Sequence, residues 1–256
     1  MLTWIKTVVG ANRDGQPDIM NNQSPCAACP HQERGFCDAV LGKSGNLRSD
    51  PRKTWHYHRV VRAGQQIVVR NQSYPDVFVL CVGWGFRFVQ LADERRQILH
   101  FLLPGDLFSV SSVFEERPHF SVTALTEVQV TGMRRAEVKT RLVQDPTVVM
   151  ALAKACAVES KSSDATIVAL GKYSAEERIA FLLLQLMRRI SARSVIRGQQ
   201  YPFPLRQQHI ADAVGLTTVH VSRTLGAFRD RGIVEISNGA LNVIDRDELE
   251  RIGSRN

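Results

Sequence analysis

The stretch from Arg206 to Arg229, RQQHIADAVGLTTVHVSRTLGAFR, restricts the possible folds more than any other part of the chain. Ile210, Ala211 and Val214 fall within about one helical turn, so the first part carries one apolar helical face. Gly215 follows at once, where glycine permits the left-handed backbone of a sharp turn. Leu216 is an apolar plug, and Thr217 is placed to cap a second helix by accepting a backbone N–H. Val221, Leu225 and Phe228 then recur at helical spacing and predict a buried stripe. Thr218, Val219, Ser222, Arg223, Gly226 and Arg229 are left on the outer faces.

This is a helix-turn-helix pattern: a small residue at Ala211 for close helix approach, a turn at Gly215, a lock at Val221. In such a unit the outer side of the second helix enters the major groove of DNA. Arg223 is the expected base reader, because guanidinium pairs bidentately with the O6 and N7 of guanine. Ser222 is expected to bond a base or phosphate, and Thr218 and Val219 to touch a thymine methyl. Thr217 and His220 are placed for phosphate contacts, which give affinity without sequence choice, and Arg206 at the head of the stretch joins the DNA-contacting set. The plain alternative is a helical hairpin with solvated charges. What favours DNA is the next segment, IVEISNGALNVI at 233–244, in which Asn238-Gly239 between two β-prone runs predicts a hairpin. A hairpin directly after the second helix makes a winged helix.

A chain of 256 residues suggests two domains, and a formal net charge of +8 suits an anionic partner. No apolar run approaches the length of a membrane span, and MLTWIKTVVG is a poor secretory signal. The expected location is the cytoplasm, where structural disulfides are rare, so the five cysteines invite a metal or redox reading. Residues 1–24 carry no strong pattern and are expected to form a mobile arm. In CAACPHQERGFC, Cys26 and Cys29 can grip one metal centre, and the loop containing Gly35 lets Cys37 fold back. Thiolates suit iron–sulfur clusters or zinc, and His31 and Arg34 nearby favour the thiolate form. The alternative is three reduced thiols on a loop. A fourth ligand would come from Cys81, which is carried here as the candidate, or from Cys156, Asp38 or His31; the spacing selects none of them.

Residues 54–135 are dense in Val, Phe and Thr, with strand candidates QQIVV, VFVLCV, FRFVQL, QILHFL and SVTAL broken by Gly and Pro. This rhythm predicts a β-sandwich or roll with Phe78, Phe86, Phe88 and Phe101 in its core and a turn at Gly105-Asp106-Leu107. His56 and His58 are expected at a core edge or in solvent. From Pro146 to about Leu170 the chain reads as one long helix, with Val149, Leu152, Ala153, Cys156 and Ala157 at helical spacing and Ile167 and Leu170 resuming the stripe. That seam suits dimerisation, because helix-turn-helix units usually read two half-sites. Gly171 is expected to stop this helix. Ser174 and Glu177 form a capping box for the next, whose core face is Ile179, Leu182, Leu183, Leu186 and Ile190. Residues 252–256 are expected to fray.

Taken in order, these parts resemble the Crp/Fnr family of bacterial transcription regulators. The resemblance rests on Gly64, Gly83 and Gly105-Asp106-Leu107, on SAEER at 174–178 and on GLTTVHVSRTL at 215–225. It implies an α+β chain: an N-terminal arm and cysteine loop at 1–50, a cyclic-nucleotide-binding-like β-roll at 51–143, a dimerisation helix at 144–171 and a winged helix-turn-helix at 172–256. It further implies a homodimer on a palindromic double-stranded operator, with RNA polymerase as a further partner. The Cys26, Cys29 and Cys37 spacing looks like the oxygen-sensing branch, with the spacing of rhizobial-type members, and implies a [4Fe–4S] cluster. Three positions depart from the family. Pro118 and His119 stand where an Arg-Ser pair holds the phosphate of cyclic AMP, which argues against that ligand. Thr131 stands near the position of the fourth cluster cysteine. Val219 replaces a base-reading Glu, so the operator should differ from the common half-site. Without a nucleophile–base pair, a phosphate-cradling glycine loop or an HExxH motif, no enzyme is expected. Two rival readings remain: a regulator controlled by a small ligand in the roll or by cysteine oxidation, and a metal-dependent enzyme with a DNA-binding tail.

Overall fold

The computed structural model describes residues 36–41, 57–193 and 200–254. They form two compact units, one within residues 1–87 and 101–156, the other within 88–100 and 157–256.

The first unit begins with a short helix, α1 (Phe36–Leu41), followed by β1 (Tyr57–Val61), β2 (Gln66–Val68), β3 (Asp76–Val82), β4 (Gly85–Gln90), β5 (Arg96–Leu102), β6 (Ser121–Ala124) and β7 (Val128–Arg134). β4 and β5 each pass through a boundary between the units. One sheet has the order β1-β7-β3 and the other β2-β6-β4-β5. This is the expected roll, and Phe78, Phe86, Phe88 and Phe101 are all buried. Gly83 sits at φ +84° between β3 and β4, where an added Cβ would lie 2.2 Å from the Glu127 carbonyl oxygen. Only glycine fits there.

β3 reads as an unbroken apolar run because both of its faces are covered. Phe78 and Leu80 pair with Gly132 and Val130, and Phe78 lies 5.7 Å from the Phe108 ring inside the roll. Val77 pairs with Met133 and Val79 with Thr131 on the opposite face. Val77, Val79 and Met133 belong there to a second buried cluster with Phe36 and Val40 of α1, Val138 of α2 (Arg135–Gln144) and Val148 and Leu152 of α3 (Pro146–Lys172). Arg141 closes the end of α1, donating to the Val40 carbonyl at 2.6 Å. α1, β7 and α2 were not among the elements legible in the sequence. Pro146 opens α3 as expected, but Gly171 lies inside its last turn and the helix ends at Lys172.

The second unit is built on α4 (Ala175–Ser191). Ser174 Oγ accepts from Glu177 N–H at 3.3 Å, and the Glu177 carboxylate accepts from Ser174 N–H at 2.8 Å, the expected capping box. Ile179, Leu182, Leu183, Leu186 and Ile190 are all buried. They face α5 (Gln207–Val214), α6 (Thr218–Asp230) and α7 (Arg246–Gly253), with a sheet of order β8-β10-β9 alongside (Gln200–Pro202, Ala240–Val243, Val234–Ser237).

The C-terminal stretch does not fray from 252 as expected. Ile252 and Gly253 are buried in α7, held by Asp245 as N-cap and by the fit of Gly253 against α4. Arg231 pairs with both Glu176 and Glu248, and Arg251 pairs with Glu248. The hydrogen bond from Arg251, with Arg231 beside it, holds the Glu248 carboxyl down at about 2. An added Cβ on Gly253 would lie 2.8 Å from backbone atoms of Ala180 and Phe181. Gly253→Ala is therefore expected to destabilise this unit by about 1–3 kcal/mol, the range for forcing atoms into a packed site. Urea unfolding followed by circular dichroism would show it, and an unchanged midpoint would count against this packing account.

Candidate nucleic-acid interface

α5 presents Ile210, Ala211, Ala213 and Val214 to the interior, and all four are buried. It ends at Gly215, whose φ of 65° and ψ of 40° are left-handed; Leu216 N–H then reaches back to the Ala211 carbonyl at 3.1 Å. Thr217 caps α6 by accepting from His220 N–H at 3.3 Å. Val221 and Phe228 are fully buried, while Leu225 is only half-buried, at the margin of the stripe. Arg178 of α4 donates to the Val214 carbonyl at 3.4 Å and to the Tyr173 carbonyl at 2.9 Å, steadying the corner from behind.

Anchoring α6 by Val221 and Phe228 turns the rest of it outward. Val219, His220, Ser222 and Arg223 are exposed, as are Thr217 and Arg206, while Thr218 is half-buried. Val219 is 58% exposed, which is high for an aliphatic side chain. Among the described residues no carboxylate pairs with Arg206 or Arg223, whereas Arg229 pairs with Asp230 and Arg231 with Glu176 and Glu248. The surface of α6 therefore offers an uncompensated guanidinium, a hydroxyl and an apolar side chain on adjacent turns. The wing follows as an antiparallel hairpin, with Asn238 and Gly239 at φ 50° and 73°. Two positive φ values in succession match the turn that suits the twist of a tight hairpin.

Two features of this unit had no signal in the local sequence. His209 Nδ1 accepts from the Arg206 backbone N–H at 3.0 Å, doing at the start of α5 what Glu does in a capping box. Residues 88–100 belong to the same unit. Arg96 Nε donates to the Asp212 carboxylate at 2.7 Å, and Gln97 Nε2 donates to the Ala213 carbonyl at 3.0 Å. The partners are 116 residues apart in the chain, beyond the reach of any motif.

The proposed metal ligands are only partly in view. Cys26, Cys29 and His31 lie outside the described residues. Cys37 is half-buried on α1 and packs against the buried cluster to which Val77, Val79 and Met133 belong. Cys81 is half-buried on β3, in a register shift between Leu80 and Val82, and Cys156 is exposed on α3. Thr131 is fully buried; its hydroxyl donates to the Tyr57 carbonyl at 3.0 Å and lies 3.0 Å from His58 Nδ1. A hydroxyl committed in this way cannot serve as the fourth cluster ligand. Among the described residues no group of three or more His, Cys, Asp or Glu side chains is placed to hold a metal. Nor, among them, is any helix long and apolar enough to cross a membrane.

Residues 177–252 match the family described as a Crp-like helix-turn-helix domain, and residues 58–145 match the cyclic nucleotide-binding domain. The chain is 32% identical to the nitrogen fixation regulation protein FixK of Azorhizobium caulinodans, over 76% of this chain and 78% of that one. It is 26% identical to the transcriptional activator FnrL of Cereibacter sphaeroides, over 87% and 88% of the two chains. The structure of FixK2 from Bradyrhizobium japonicum superposes with a TM-score of 0.71 at 25% identity, covering 78% of this chain and 98% of that one.

Burial lowers the pKa of His209, helped by the nearby Arg96 and Arg206 cations and opposed by Asp212. A histidine depressed on folding favours the native state above its ordinary value of 6.5, and that stability is lost as pH falls through and below it. Protonation also removes the Nδ1 acceptor from Arg206 N–H. Thermal melts should therefore drop between pH 7.5 and 5.5, and His209→Gln should show a smaller drop; identical pH profiles would refute the assignment.

Proposed function

Because the chain belongs to the Crp/Fnr family of DNA-binding transcription regulators, we propose that it works as a homodimer, reads a palindromic operator with α6 and takes a redox signal at its N-terminal cysteines. The observation that carries the DNA reading is the unpaired, exposed Arg223, beside Ser222 and one turn beyond Val219, on a helix anchored from behind by Val221 and Phe228. On this reading Arg223 contacts guanine, Ser222 a base or phosphate, and Thr218 and Val219 a thymine methyl. Thr217, His220 and Arg206 contact phosphate, and RNA polymerase is the further partner.

Pairing of two copies is assigned to α3. Its 27 residues extend about 40 Å. Val149, Met150, Ile167 and Val168 are exposed along it, with the small side chains of Ala153, Cys156 and Ala157 between them. A second α3 laid along this stripe removes the apolar area from water and spaces two copies of α6 for two half-sites.

The signal reading rests on Cys26, Cys29 and Cys37 as thiolate ligands of a [4Fe–4S] cluster, which would supply bonds that oxygen or nitric oxide can break. Cys37 suits this task because α1 shares a buried cluster with the first turns of α3. Thr131, paired with Val79, lies on the sheet face that contributes Val77, Val79 and Met133 to the cluster Cys37 packs against, and near it the family resemblance implies the fourth ligand. Cys81, two residues past Val79 on β3, is the thiol carried as that ligand. A differential stabilisation of about 1.4 kcal/mol between two dimer arrangements is enough to change DNA-binding competence tenfold.

A second reading, a small ligand in the roll, would place it at the cleft lined by Tyr74, Asp76, Phe78, Glu116, Phe120 and Arg135, where carboxylates and a guanidinium adjoin aromatic rings. Oxidation of the same cysteines without a metal is the other route to control.

Protein purified without oxygen should absorb broadly in the visible and contain iron and sulfide, and should lose both in air. Colourless, iron-free protein after anaerobic reconstitution would remove the cluster and leave the ligand or thiol reading. For the DNA half, Arg223→Ala should weaken operator binding by about 1–3 kcal/mol with no change in melting. Parental affinity in that variant would defeat the assignment of α6 as the reader.

A further inference from the structure

Three glycines lie within helices among the described residues: Gly171, Gly226 and Gly253. Gly171 stands in the last turn of α3, where a glycine costs little, and Gly253 is needed because α7 meets the backbone of α4 there. Gly226 has neither reason. It is the ninth of the thirteen residues of α6, and a Cβ built on it would meet nothing within 4 Å. An internal helical glycine is disfavoured by about 1 kcal/mol relative to alanine. Among the described residues no close packing at Gly226 compensates for that cost.

The position of Gly226 on α6 gives the reason. It follows Val219 by seven residues, which brings it back to within about 20° of the same direction on the helix. It therefore continues the stripe of Val219, Ser222 and Arg223, half-buried itself where those three are exposed. Arg223 and Arg229 stand one turn to either side of it, both exposed. A helix with its side chains is about 10–12 Å across and the major groove about 12 Å wide, so a helix lying in the groove has almost no clearance. A residue without a side chain locally reduces that width to the bare backbone.

We propose that Gly226 is the point at which duplex DNA comes into direct contact with the backbone of α6, one turn beyond the unpaired Arg223. It is a positioning residue: it sets how deeply the helix seats and so whether Arg223 and Val219 reach the base edges. This rests on the reading of α6 as the DNA-contacting helix.

The test uses Gly226→Ala and Gly226→Leu in the full chain, with Arg223→Ala beside them, on a duplex selected from a random pool. Gly226→Ala should melt a few degrees higher than the parent, since it improves the helix, yet bind the duplex about tenfold more weakly, equivalent to roughly 1.4 kcal/mol. Gly226→Leu, also a good helix former, should lose more. If both glycine variants bind within about twofold of the parent while Arg223→Ala does not, the inference falls and the α6 reading stands. If Arg223→Ala also binds like the parent, the reading of α6 falls with it.

Discussion

The left-handed backbone at Gly215 is the constraint on which the C-terminal unit depends. It reverses the chain within a few residues, so that Ile210, Ala211 and Val214 on one side and Val221 and Phe228 on the other are buried in the same core. A Cβ at Gly215 would meet the Leu170 side chain at only 3.5 Å, an ordinary contact, so the requirement is conformational rather than spatial. The positive φ itself excludes other residues at low cost. Once the corner is set, the outward side of α6 follows from the helical repeat.

This explains which features were legible in the sequence. The corner, its Thr217 cap, the Ser174–Glu177 capping box and the Asn238-Gly239 hairpin all arise from residues within a few positions of one another, and each has one dominant local solution. The four phenylalanines of the roll were legible because strand rhythm and turn residues agreed. Features formed by residues far apart were not. β7 and α2 have little local punctuation, since β7 runs straight into α2 at Arg134 and Arg135. The end of α3 was also misplaced, and α7 was not foreseen. Gly171 is tolerated inside α3, and Ile252 and Gly253 are buried because α4 receives them. Neither neighbour can be inferred from the residues themselves.

The candidate site divides in the same way. The α6 surface is a local consequence of helical period and was readable at Val219, Ser222, Arg223 and Arg229, while Thr218, Leu225 and Gly226 lie half-buried at its margin. The contribution of His209 to the start of α5 was hidden because histidine is not the usual capping partner. The ties from Arg96 and Gln97 were hidden by their distance along the chain. Thr131 shows a different limit: the resemblance pointed to its position, but only the structure shows its hydroxyl committed to Tyr57 and His58.

The seating of α1 in the cluster shared by β3, β7, α2 and α3 alters how the segment carrying Cys37 should be regarded. Phe36 and Val40 are as deeply enclosed as the strand residues they touch. They are therefore structural members of the roll, so the segment proposed as the sensor is built into the wall it would report on. A chain trimmed beyond Leu41 would not be an otherwise intact regulator lacking its sensor. It would carry an open seam beside the first turns of the long helix, where aromatic and aliphatic side chains had kept water out.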